Sequence, residues 1–320
     1  MRFDLDAQQR DFAASIDAAL AAADVPSAVR AWAAGDTAPG RKVWAQLADL
    51  GVTALAVPER FDGLEAHPVD LVVALERLGR WCLPGPVVES IAVAPVLLVQ
   101  DEQERCRALA SGELIASVVL WPQMPRAVDA DAAGLVLAVE ENGWVSEAHV
   151  GERHESIDPS RHLFDAQAVC EAWQADVARA YEFGALATAA QLIGAGQALL
   201  DTAVDYAKQR AQFGRVIGSY QAIKHKLADV HIALELARPL VYGAALSLAD
   251  HSADTARDVS AAKAAASDAA LLAARAALQT HGAIGFTAEH DLSLWLLRVQ
   301  ALQSAWGTPA AHRRRVLEAL

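Results

Sequence analysis

Two short stretches of this chain carry side chains suited to holding an anion or a flat ring. The first is Tyr206-Ala207-Lys208-Gln209-Arg210-Ala211-Gln212-Phe213-Gly214, followed by Ile217-Gly218 and Gln221. A guanidinium is a planar fork that grips oxyanions through two parallel hydrogen bonds. The second is Gln279-Thr280-His281-Gly282-Ala283-Ile284-Gly285, whose small residues let backbone approach a ligand closely. Taken singly, Arg210 reads as a surface helix arginine and Phe213 as a core staple. Trp306, in Ser304-Ala305-Trp306-Gly307-Thr308, offers one N–H donor and no acceptor, so it cannot remove a proton. His225, His231, His281, His290 and His312 form no metal-ligand grouping, and helix-surface or capping roles are expected of them. His312-Arg313-Arg314-Arg315 complements the dipole of the last helix. Serine and cysteine nucleophile motifs are absent, and no metal site is expected.

Long helices must position these residues. From residue 171 onward the chain reads as alanine-rich helices: 178–210, 219–250 and 255–278, with shorter ones at 292–303 and 309–320. Three long helices joined by short loops imply an antiparallel bundle. The first hundred residues read as helices at 5–22, 43–50, 69–78 and 86–98, with Gly51 a stop and 57–63 a loop. Between them, 115–121, 134–139 and 143–145 are strand-like, a β segment of 114–165 that is too short for a full barrel. The expected fold is therefore mainly α with a small β domain. Its expected divisions are an N-terminal helical domain at 1–113, a truncated β domain at 114–166 and a C-terminal helical bundle at 167–320.

The 320 residues are 54% hydrophobic and 21% charged, with a formal net charge of -13. That charge argues against nucleic acid or an anionic membrane as the main partner. Cys82, Cys106 and Cys170 are widely spaced, which suits buried thiols in a reducing compartment. The start Met1-Arg2-Phe3-Asp4-Leu5-Asp6 does not read as a signal peptide. Runs such as 91–99 and 269–278 are too short or too alanine-rich to span a bilayer. A soluble cytoplasmic protein is expected.

The α, β, α-bundle order, together with these motifs, resembles the acyl-CoA dehydrogenase family over nearly the whole chain. The resemblance also rests on Leu47-Ala48-Asp49-Leu50-Gly51, Val57-Pro58-Glu59, Glu76-Arg77-Leu78-Gly79-Arg80, Asp158-Pro159-Ser160-Arg161 and Phe164-Asp165. It implies that Trp306 stands where most members carry the catalytic glutamate. A minority place that glutamate near the start of the first bundle helix. Counting back from Gly194-Ala195-Gly196-Gln197-Ala198 puts that position at Gly184, so both base positions are empty. Glu182 lies roughly 200° around the helix from Gly184 and reads as a solvated or capping residue. The family's flavin-ring loop has no counterpart in 118–127, and Glu141-Asn142-Gly143-Trp144 reads as a hairpin turn.

What the resemblance retains is the arm that reaches a neighbouring subunit's FAD. It assigns cofactor contact to Arg210, Gln212, Phe213, Gln279, Gly282 and Ala283, with Arg210 on the pyrophosphate and Phe213 over the adenosine. The basic run 312–315 could also lie near a CoA or FAD phosphate. The implied protein is a non-catalytic β-type subunit, as in heteromeric α2β2 acyl-CoA dehydrogenases of actinobacterial steroid and cholesterol breakdown. It would share FAD with a catalytic partner subunit that holds the acyl-CoA. Two rivals stand beside it: a self-sufficient flavin-dependent monooxygenase of the same fold, and a non-enzymatic scaffold.

Overall fold

In the N-terminal third, helix starts are set by side-chain caps and early prolines. The computed structural model describes residues 4–98, 102–140, 143–169 and 172–320; Cys170, Glu141 and Asn142 lie outside these. Helix α1 (Ala7–Ala21) opens on a reciprocal capping box between Asp6 and Gln9. Helices α2 (Val25–Ala33), α3 (Ala38–Asp49) and α4 (Pro68–Arg80) each carry proline in the first turn, where the missing N–H costs nothing. A π-helical turn (Glu89–Val93) runs into α5 (Ala94–Leu98), and α6 (Gln103–Ala110) follows. The sequence reading has no counterpart for α2, although Asp24 and Pro26 mark its start, nor for the mostly polar α6.

The sheet is larger than the expected β segment. Its strands are β1 (Ala116–Leu120), β2 (Ala127–Val128), β3 (Leu135–Val139), β4 (Trp144–His154), β5 (Leu163–Ala168) and β6 (Trp173–Gln174). They run in the order β1-β3-β4-β5-β2, with β6 beside β4. β1 and β3 are parallel, Ala116 opposite Leu135, and both are buried throughout, as their unbroken apolar runs require. β3 and β4 form a hairpin with Val139 opposite Val145. β4 continues to His154 with a bulge between Val150 and Arg153; its far half is exposed and polar, which hides it from a hydrophobicity reading. β5 and β6 likewise carry the sheet past residue 165.

The bundle follows its 3.6-residue pattern closely. α7 (Val177–Gln209) leads through the hairpin β7 (Ala211–Gln212) and β8 (Arg215–Val216) into α8 (Gln221–Ala249) and α9 (Thr255–His281), then α10 (Leu292–Ser304) and α11 (Pro309–Glu318). α4 crosses α7 at backbone contact: a Cβ on Gly194 would stand 1.9 Å from the Glu76 carbonyl oxygen, and one on Gly79 would stand 2.2 Å from that of Gln191. Contrary to the expectation from shorter runs, α7 and α8 are each long and apolar enough to cross a membrane. α7 uses that surface as bundle core, whereas α8 leaves Ile232, Leu236 and Leu240 exposed, one turn apart on one face. Buried Arg298 of α10 ties bundle to sheet: it donates to Asp158 Oδ2 at 2.5 Å, to the Leu83 carbonyl at 2.7 Å and to Ser160 Oγ at 3.0 Å.

Candidate functional site

The helix ends bring the first candidate residues together. Arg210 caps α7 with its N–H donating to the Tyr206 carbonyl at 2.9 Å, then turns to extended backbone. β7 and β8 pair Gln212 with Arg215, leaving Phe213 and Gly214 as a two-residue turn with φ of 53° and 83°. Successive left-handed residues suit a tight hairpin, but a bulky aromatic at positive φ is unusual. Phe213 is 93% exposed, so it staples no core. The Tyr220 hydroxyl donates to the Gln212 carbonyl at 3.2 Å, and Arg215 lies 4.1 Å over the Tyr220 ring, which stiffens the hairpin.

At the end of α9, Gln279 accepts from Lys226 of α8. Gly282 follows with φ 68° and ψ −143°, and nothing lies within 4 Å of where its Cβ would be. Ala283 is exposed beside it. Tyr206 stacks on His281 with ring centroids 4.3 Å apart, joining the hairpin's root to this turn. The structure thus gathers Arg210, Gln212, Phe213, Gln279, Gly282 and Ala283 at one end of the bundle. An exposed Arg210 guanidinium with no side-chain partner among the described residues, an uncovered ring and open backbone fit the phosphate and adenosine end of a dinucleotide.

Trp306 and Gly184, the two positions that the resemblance assigns to a base, also meet, and the meeting leaves no space between them. Trp306 is 0% exposed, with φ 55°. A Cβ on Gly184 would stand 2.4 Å from two of its ring carbons, so the indole lies directly on the Gly184 α-carbon. Trp306 Nε1 donates to Glu89 Oε1 at 3.1 Å, and its backbone N–H points to Met124 Sδ at 3.1 Å. Its carbonyl accepts from the Tyr181 hydroxyl at 3.3 Å and faces His312 Nε2 at 2.8 Å. Leu120 and Met124 exchange backbone hydrogen bonds of 2.9 and 2.6 Å, folding the 121–123 segment into a turn that sets Met124 Sδ against the Trp306 backbone N–H. An isoalloxazine needs an open slot, and this packing does not fit one.

Several sequence expectations change here. His312 is fully buried, not a helix-surface residue, and burial drives its imidazole down to about 4. His281 is also buried. Arg313 and Arg315 of the basic run pair with Asp268 and Glu182. Glu182 is buried in that pair, neither solvated nor capping. Glu89, which the sequence reading missed, is fully buried with Oε2 unpartnered; its signal was a lone acid inside the apolar run 87–98. Buried Lys263 donates to Ser267 Oγ and to the carbonyls of Leu302, Gln303 and Gly307 at 3.1–3.3 Å. It fastens the loop that carries Trp306, while burial pulls its ammonium down to about 7.

Asp129, Asp131 and His162 bring ligand-type atoms within 4.8 Å of one another, a grouping not visible in the sequence. Asp129 Oδ1 already accepts from Trp32 Nε1 at 3.1 Å and from the His162 N–H at 2.9 Å. His162 Nδ1 lies 3.2 Å from Asp131. The neighbouring Arg161 charge opposes a second cation, so the trio reads as a hydrogen-bonded brace.

Families described as acyl-CoA dehydrogenase, N-terminal domain, and acyl-CoA dehydrogenase, C-terminal domain, match residues 6–113 and 175–320. The acyl-CoA dehydrogenase IpdE2 of Mycolicibacterium smegmatis is 31% identical over 293 residues, covering 91% of this chain and 92% of its own length. The acyl-CoA dehydrogenase FadE34 of Mycobacterium tuberculosis is 33% identical over 88% of this chain, which spans 42% of that protein. Among solved structures, the ChsE4-ChsE5 complex from Mycobacterium tuberculosis superposes with a TM-score of 0.84 at 21% identity, over 99% of this chain and 98% of that one. A steroid acyl-CoA dehydrogenase described as Tcur3481-Tcur3483 gives 0.85 at 20%, over 97% of each. At these identities the structural likeness speaks for the fold alone.

Proposed function

The chain belongs to the acyl-CoA dehydrogenase family, and from that premise we propose that it is the non-catalytic subunit of a heteromeric enzyme, lending one arm to an FAD held mainly by a partner. The observation that carries this reading is the contrast between its two ends. Arg210 and Phe213 stand uncovered at the bundle end, while Trp306 is buried on Gly184 where a base would act. When bound, FAD supplies the hydride acceptor for α,β-desaturation of an acyl-CoA. This chain's residues bind and orient: Arg210 grips pyrophosphate oxygens, Phe213 covers the adenosine, and Gln212 and Gln279 offer amide hydrogen bonds. Open backbone at Gly282 and Ala283 admits the nucleotide at close range.

The partner supplies the glutamate and the ring cradle, and it shapes the acyl cavity. The exposed stripe of Ile232, Leu236 and Leu240 supports a partner surface. An α2β2 arrangement, a bulky steroid-derived thioester and a cytoplasmic location belong to the same proposal; the steroid acyl-CoA dehydrogenase among its structural neighbours motivates the substrate class. The domains are taken as 1–113, a β domain that runs on through β6 at Gln174, and a helical bundle from Val177. Co-expression with a candidate dehydrogenase subunit, followed by purification of the Arg210→Ala complex, tests the arm. The expected result is an intact complex whose FAD affinity falls about tenfold or more, the scale of a lost charge-assisted bond. Unchanged FAD affinity in an intact complex would favour the scaffold reading instead.

A further inference from the structure

Arg161 carries a charge that its surroundings leave unused. The residue is only 5% exposed, yet among the described residues its guanidinium has no hydrogen-bond or ion-pair partner. Asp129 and Asp158 act on it through space. Neither makes a direct bond to it: Asp129 accepts from Trp32 and the His162 N–H on Oδ1 and leaves Oδ2 unpartnered, and Asp158 is engaged by Arg298 and Ser160. A guanidinium has five N–H donors in a fixed fork, and those of Arg161 are not sealed from solvent but open toward the cavities that the side chain lines.

The side chain lines two adjacent cavities. One, of about 400 Å³, is bordered by Arg153, His154 and His162; the other, of about 350 Å³, by Arg126 and apolar residues including Met124, Ile157 and Leu163. Glu155 and Ser156 line both. Arg126 and His154 share the carboxylate of Asp165, at 3.0 and 3.1 Å. Glu155 is exposed and, among the described residues, is the acidic side chain that lines both cavities. The volumes suit a small molecule, and the split lining suits one with a charged head and an apolar body.

We propose that Arg161 anchors a binding site for a ligand carrying a compact oxyanion, carboxylate or phosphate, on an apolar body. The oxyanion takes the unused fork of Arg161, Ser156 offers a hydroxyl donor at the rim, and the body enters the apolar cavity. This site belongs to the sheet and α10, and it does not depend on the nucleotide arm at the end of α7.

The test is calorimetric titration of the full chain with octanoate and, separately, octyl phosphate. At least one should bind saturably at one site per chain, and which of them binds assigns the head group. Arg161→Gln should weaken that binding about tenfold or more. Glu155→Gln, on the surface, should tighten it severalfold, and Arg210→Ala should leave it unchanged. Binding of neither probe, or equal affinity in Arg161→Gln, overturns the proposal. If Arg161→Gln does not fold, Glu155→Gln decides, and unchanged affinity there overturns the proposal as well. Loss of flavin sharing in Arg210→Ala with this binding intact separates failure of one reading from failure of the other.

Discussion

Replacing Gly184 by alanine asks whether the space above its α-carbon is filled or open, because the two cases differ in sign. Gly184 lies inside α7, where alanine is favoured over glycine by roughly 0.8–1.0 kcal/mol. With open space beside it, Gly184→Ala would therefore stabilise the protein. The new methyl would instead meet three Trp306 ring carbons at 2.4, 2.4 and 2.8 Å. The indole cannot simply withdraw, since Glu89 holds its Nε1, Met124 faces its backbone N–H and its carbonyl is engaged twice. Overpacking of this kind costs about 1–3 kcal/mol, which outweighs the helix gain and leaves a net loss on the order of 1 kcal/mol. Urea denaturation followed by circular dichroism reads this directly, provided the slope is unchanged. In a Trp306→Leu background the clash is relieved, so the same substitution should turn neutral or stabilising, with a coupling of about 1–3 kcal/mol. Stabilisation by Gly184→Ala in the wild-type chain, or strict additivity in the double variant, would refute the claim that Trp306 seals Gly184.

Other perturbations probe the rest of the account. Trp306→Glu should yield no acyl-CoA oxidation by the chain alone, because the ring slot is also closed. It should also lower Tm, since it sets a second carboxylate against buried Glu89; flavin-linked turnover by that variant alone would contradict the account. Arg298→Met should destabilise by about 3–5 kcal/mol in denaturant titration, leaving Asp158 buried without its partner. Burial raises the Asp129 carboxyl from 3.8 to about 6, against the hydrogen bonds from Trp32 and the His162 N–H and the charges of Arg161 and His162. A raised acid stabilises the fold below its unfolded pKa and loses that contribution as pH climbs through the folded one. Relative to Asp129→Asn, wild-type stability should therefore fall between about pH 4 and pH 6 and stay level above, by up to roughly 3 kcal/mol. A flat difference from pH 4 to 7 would show that Asp129 is not held protonated.

Much of the bundle was legible because its apolar spacing is regular: α7 to α11 begin and end within a few residues of their sequence-based spans. The outer half of β4 was not, since Gly151, Glu152 and Arg153 are exposed and its pairing with β5 is held by backbone, not by an apolar face. That 306 and 184 carry no carboxylate could be read from the residue types. That the indole of one lies on the α-carbon of the other could not, because it joins residues over a hundred positions apart. The same holds for Glu89 behind Trp306 and for His312, whose helix-end basic run suggested a surface. Arg161 was visible as part of Asp158-Pro159-Ser160-Arg161, but only packing shows that it lines two cavities and makes no direct bond to Asp129 or Asp158.

The most direct test of the shared-site account is the flavin count. The chain is purified alone and in complex with a candidate catalytic subunit, with FAD measured by absorbance and masses by native mass spectrometry. The account predicts no FAD on the chain alone and about one FAD per heterodimer in the complex. A yellow homo-oligomer of this chain by itself would contradict it.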